Sequence, residues 1–183
     1  MADIYLPVPL LNQHNIFPTK NFSKNYACWY TSALMVLLFK MGVSGIASSL
    51  QIDTLKRLFD NLGLGANDDA ALARECGFEH SPPLMVLGPK TLNDYQKALQ
   101  TFGPLIMSQP THVIVVRGAT KNVALQDEII FNDPWDGREK KVPLQIFNNM
   151  IAWQFPIHFR RSRFSPPSVL APGPNQTPYK TRY

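Results

Sequence analysis

Three short stretches of this chain carry residue types that could transfer an acyl group. The first is Asn25-Tyr26-Ala27-Cys28-Trp29-Tyr30, followed by the apolar run Leu34-Met35-Val36-Leu37-Leu38-Phe39. Polar and small residues ahead of such a run predict a buried helix with Cys28 in its first turn. A helix N-terminus carries roughly half a positive charge and unpaired amide hydrogens. A cysteine there is biased toward thiolate, the form that attacks carbonyls. The second stretch is Thr111-His112-Val113-Ile114-Val115-Val116, a histidine heading a β-branched strand. The third is Asn132-Asp133-Pro134-Trp135-Asp136-Gly137, where a strand ends in an acid, a proline and a tryptophan.

Each stretch has a plain alternative: a small buried cysteine, an edge histidine without a role, an ordinary turn. Together they fit one chemistry. A thiolate needs a base to take its proton and later to protonate the leaving amine. The imidazole needs a third group to fix its tautomer and orientation. Antiparallel pairing of the His112 strand with the strand ending at Phe131 would bring Asn132 or Asp133 near His112. An oxyanion also needs a second donor beside the nucleophile's own amide, and Gln13 is the best upstream candidate.

The elements that must position these residues follow in order. Prolines in Leu6-Pro7-Val8-Pro9-Leu10 predict an extended segment lying over the domain, then a polar loop runs to the Cys28 helix. That helix, over about 28–41, stops at Gly42 and Gly45. Ser48 or Ser49 caps a second helix with Leu50, Ile52, Leu55, Leu58, Phe59 and Leu62 at helical spacing. Asp68 and Asp69 begin a short third helix closed by Cys76-Gly77, and Cys76 reads as structural. Thr91 caps a helix over 92–102. Beyond Gly103 the character changes to short strands: 105–107, 113–116 and 129–131. A short helix over 143–153 and a last strand over 154–160 follow. The expectation is therefore α+β: a helical first half, with the cysteine on its central helix, packed on a C-terminal antiparallel sheet.

The 183 residues suit one domain, expected over 1–161. The tail over 162–183, with Pro166, Pro167, Pro172, Pro174 and Pro178, is expected to be extended or disordered. A hydrophobic fraction of 45% belongs to a folded protein, and two cysteines make no disulfide scaffold. The net charge of +5 includes a cluster at Arg160, Arg161 and Arg163, without a nucleic-acid recognition motif or zinc-ligand spacing. It reads as solubility or attraction to an acidic partner. The N-terminus lacks a secretory pattern and no apolar run spans a bilayer, so synthesis in the cytoplasm without a cleaved signal is expected, with later export left open.

The Cys28-Trp29 pair opening a helix, a glutamine upstream, the Val-rich histidine strand and the Asn/Asp-Pro-Trp-Asp-Gly turn resemble the papain-like cysteine proteases. Within that clan the chain is most similar to the compact bacterial branch of bacteriocin leader peptidases and injected effector proteases. The resemblance implies Cys28 as nucleophile, His112 as general base and acid, Asp133 as orienter with Asn132 next in line, and Gln13 as the oxyanion-hole amide. Gln13 stands about twice as far ahead of the cysteine as the family's glutamine does, so Asn21 or Asn25 is the alternative. It further implies a protein substrate, no metal or organic cofactor, and a bacterial effector or antibacterial toxin with a cognate immunity protein as possible partner. The competing functions are a peptidoglycan amidase or deamidase with the same site, and a catalytically dead binding module.

Overall fold

The computed structural model describes residues 2–16, 27–40, 42 and 90–151. Helices expected over 48–62 and 68–76, the strand over 154–160, the proline-rich tail, Cys76, Asn21 and Asn25 lie outside them. In chain order the elements are β1 (Ile4–Tyr5), α1 (Gln13–Ile16), α2 (Ala27–Lys40), α3 (Leu92–Phe102), β2 (Leu105–Gln109), β3 (His112–Lys121), β4 (Asp127–Asp133), β5 (Arg138–Pro143) and α4 (Leu144–Met150). This is an α+β architecture, helices on a five-stranded antiparallel sheet, as expected of a papain-like fold.

Helix α2 is apolar almost all round, the mark of a helix enclosed by other elements. Tyr30, Ala33, Leu34, Met35, Val36 and Leu38 are buried. Its chain turns away at Gly42, whose φ of 69° suits a residue without a side chain and whose N–H bonds to the Phe39 carbonyl. Helix α3 begins with a capping box, in which Thr91 and Asp94 satisfy each other's backbone N–H groups. Its inward residues Tyr95, Leu99 and Phe102 join Phe147 of α4 against Ile114, Val116 and Phe131 of the sheet.

The sheet is centred on β3. Its first half pairs with β2 through a two-residue turn, with Gln109 opposite His112. Its second half pairs on the same side with β1, Ile4 opposite Ala119. The short strand expected at 113–116 thus runs on to Lys121. Gly118 does not end it. A Cβ there would come within 3.1 Å of the Ile4 carbonyl oxygen, so the glycine lets β1 approach. On the other side β4 pairs with β3, with a bulge at Arg117: Val116 faces Phe131, but Gly118 faces Ile130. β4 continues through a tight turn into β5.

The bulged residue is an anchor. Arg117 is buried; its Nε donates to the Leu6 carbonyl at 2.8 Å and its Nη1 to Asn132 Oδ1 at 3.2 Å, with Glu139 beside it at 3.3 Å. Tyr5 lays its ring 4.4 Å from the guanidinium and donates its hydroxyl to Glu139. Asn132 donates to the carbonyls of Val8 and Pro9. The extended N-terminal segment is therefore bolted across the sheet as far as α1.

Candidate active site

Cys28 is the second residue of α2 and is buried. His112 is the first residue of β3, held against its turn partner Gln109. Its Nε2 lies 2.6 Å from Asp133 Oδ1. Cys28 lies beside the same ring and, by its hydrogen bond, helps to raise the imidazole's pKa. The structure thus brings Cys28, His112 and Asp133 together from three different elements.

Register decides which residue of the Asn132-Asp133 pair meets the histidine. Val115 sits opposite Asn132, so the next pair would be Ile114 with Asp133. His112 lies two residues before Ile114 and shares its face. Had the Gly118–Ile130 alignment run on without the bulge, Val116 would face Asn132, and Asn132 would share the histidine's face instead. The one extra residue, Arg117, therefore turns Asp133 toward His112 and Asn132 away. Asn132 is fully buried among Val8, Pro9, Met35 and Arg117, a structural cross-tie.

The carboxylate is crowded with donors. Asp133 Oδ1 also accepts the Trp135 N–H at 2.9 Å, and Oδ2 contacts Lys140 Nζ at 2.5 Å. Burial works against its charge, but the bonds from His112, Lys140 and the Trp135 amide outweigh it and hold the carboxyl well below the usual range. Burial likewise opposes a charge on His112. Its bonds to Asp133 and Cys28 prevail, and its pKa is pushed up to about 9. The protonated ring is favoured by these partners.

Gln13 opens α1 and is buried. Its backbone N–H donates to the Pro134 carbonyl at 2.8 Å, which ties it to the turn that carries Asp133. Its buried Oε1 has no hydrogen-bond partner among the described residues. Gly137 closes this turn with φ 67°, packed against Asn12. Asn12 accepts the His14 N–H, and the His14 ring meets Trp135 edge-on at 4.9 Å. Four residues, Gln13, Asp133, Trp135 and Gly137, are therefore set by one small assembly of α1 and the β4–β5 turn.

Lys140 was not legible as a member of this cluster, because no strand is expected over 138–143. A signal existed: Asp-Gly following a strand is a hairpin marker, and a charged segment after it suits an edge strand.

A helix carrying a cysteine at its N-terminus, set beside a histidine and an acid borne on antiparallel strands, defines a papain-like thiol hydrolase architecture. The family model described as papain-like cysteine protease AvrRpt2 matches residues 8–152, and the chain belongs to that family. It is a cysteine protease by that membership. No curated protein and no solved structure matches the chain. Among the described residues no helix is long and apolar enough to cross a membrane.

Proposed function

We propose that the chain is a cysteine endopeptidase working through Cys28, His112 and Asp133, with Gln13 completing the oxyanion hole. The observation that carries this reading is the single imidazole shared between the helix-borne thiol and a buried carboxylate 2.6 Å away. A positive imidazole beside a cysteine at a helix N-terminus is the setting in which thiols are kept as thiolates. The Cys28 sulfur attacks the scissile carbonyl carbon and the carbonyl π electrons move onto oxygen. The backbone N–H of Cys28 and the Gln13 amide face that oxyanion. As it collapses, the C–N bond breaks and His112 gives its proton to the leaving amine. Neutral His112 then takes a proton from water as it attacks the thioester, and the acid leaves with the thiolate restored. Asp133 keeps the ring in place throughout. The protein substrate follows from the family; delivery into another cell as an effector or antibacterial toxin, opposed by an immunity protein, is the biological setting we propose.

The test is to incubate a soluble proteome with the wild-type protein and with Cys28→Ala, label new N-termini and sequence them. Discrete cleavage sites made only by the wild type support an endopeptidase. Release of amino groups from muropeptides, with proteins left intact, overturns it in favour of a cell-wall amidase.

A further inference from the structure

Lys140 lies on the edge strand β5, opposite Phe131, with its side chain 40% exposed. An exposed ammonium on a carboxylate ordinarily contributes little. This one meets a carboxylate that is itself only 10% exposed and already holds the histidine. The two oxygens of Asp133 divide their partners. Oδ1 takes the His112 ring and the Trp135 N–H, while Oδ2 takes Lys140. Lys140 is steadied in turn by Asp136 Oδ2 at 3.3 Å, four residues back across the turn. Among the described residues the titratable groups around the ring are thus Asp133 from β4, Cys28 from α2, Lys140 from β5 across the carboxylate, and Asp136 behind Lys140. From α1, His14 reaches only the Trp135 ring.

Resting on the triad reading above, we propose that Lys140 is a positioning residue of this site. Its ammonium occupies Asp133 Oδ2, so the carboxylate presents Oδ1 alone to His112 and only part of its charge. Two cations share one carboxylate. Asp133 orients the ring firmly without locking the proton onto it, so His112 remains able to release that proton to a leaving amine. Asp136 keeps Lys140 from swinging into solvent.

The experiment is an NMR titration of the His112 ring nitrogens in the full chain, with the resonance assigned by its loss in His112→Ala. Lys140→Met and Lys140→Arg are compared with wild type. Removing the ammonium leaves the carboxylate uncompensated and favours the imidazolium. The His112 midpoint in Lys140→Met then rises by about half a pH unit. In Lys140→Arg it stays with the wild type, because the second cation is restored. A Lys140→Met midpoint equal to wild type, or an equal rise in both variants, overturns the proposal. This readout does not depend on the thiol being reactive. Failure of the triad reading shows separately, as Cys28 alkylation unaffected by His112→Ala.

Discussion

Gly137→Ala tests how the site's smallest joint is built. Gly137 has φ 67°, and a Cβ there would lie 2.8 Å from Asn12 Cβ and 3.2 Å from both Asn12 Cα and its backbone nitrogen. Two costs follow. The left-handed backbone costs an alanine about 1 kcal/mol. The closest overlap falls on Asn12 Cβ, which is fixed to the backbone and which no rotamer change moves aside, and relieving such crowding costs about 1–3 kcal/mol more. Gly42→Ala separates the two. It has nearly the same φ, 69°, but a Cβ there meets nothing within 4 Å among the described residues, so the backbone cost of about 1 kcal/mol is the one expected. Urea denaturation of both variants, with unchanged slopes, reads the difference directly. Gly137→Ala is expected to lose about 2–4 kcal/mol in all, at least twice the loss at Gly42. Equal losses at the two glycines would refute the packing of Asn12, and with it the attachment of Gln13, onto the β4–β5 turn.

Other outcomes follow from the same geometry. Asn132→Ala removes bonds to two carbonyls and to Arg117 in a buried place, and should cost about 2–4 kcal/mol in denaturant while leaving the His112 titration where it is; a displaced titration would mean that Asn132 touches the site. Asp133→Asn is expected to destabilise in a pH-dependent way. His112 is raised from an ordinary 6.5 to about 9 in the fold, so its ionic contribution is fully present below 6.5 and is lost as pH rises through 9. Asp133 is depressed, so its contribution is present above its ordinary value and lost toward acid. The deficit of Asp133→Asn, read by thermal melts, should therefore be largest near pH 5–6 and shrink above pH 9; a deficit independent of pH would contradict the ion pair.

Much of this was legible because local signals and tertiary contacts agree. The apolar run after Cys28 could only be buried as a helix, and a polar preface placed the cysteine in its first turn, as found at Ala27–Lys40. Thr91 announced α3, and the β-branched runs announced β2 to β4. What the sequence hid were pieces that exist only through their partners. β1 is two residues long and is a strand only because Gly118 lets it approach. β5 opens with four consecutive charged residues, Arg138 to Lys141, on both of its faces, so no apolar alternation marks it. Local sequence does not distinguish Asn132 from Asp133, because a single-residue bulge decides which of them faces His112. Nothing in the run Val115-Val116-Arg117-Gly118 betrays that bulge until Arg117 is seen bound to Leu6 and Asn132.

A nucleophilic Cys28 paired with His112 should alkylate faster than an ordinary thiol. Brief treatment of the full chain with limiting iodoacetamide near pH 6, followed by mass spectrometry, tests it on wild type and His112→Ala side by side. The expected result is rapid labelling of Cys28 alone, lost in the variant, with Cys76 untouched in both. Labelling of Cys28 no faster than Cys76, and indifferent to His112, would contradict it.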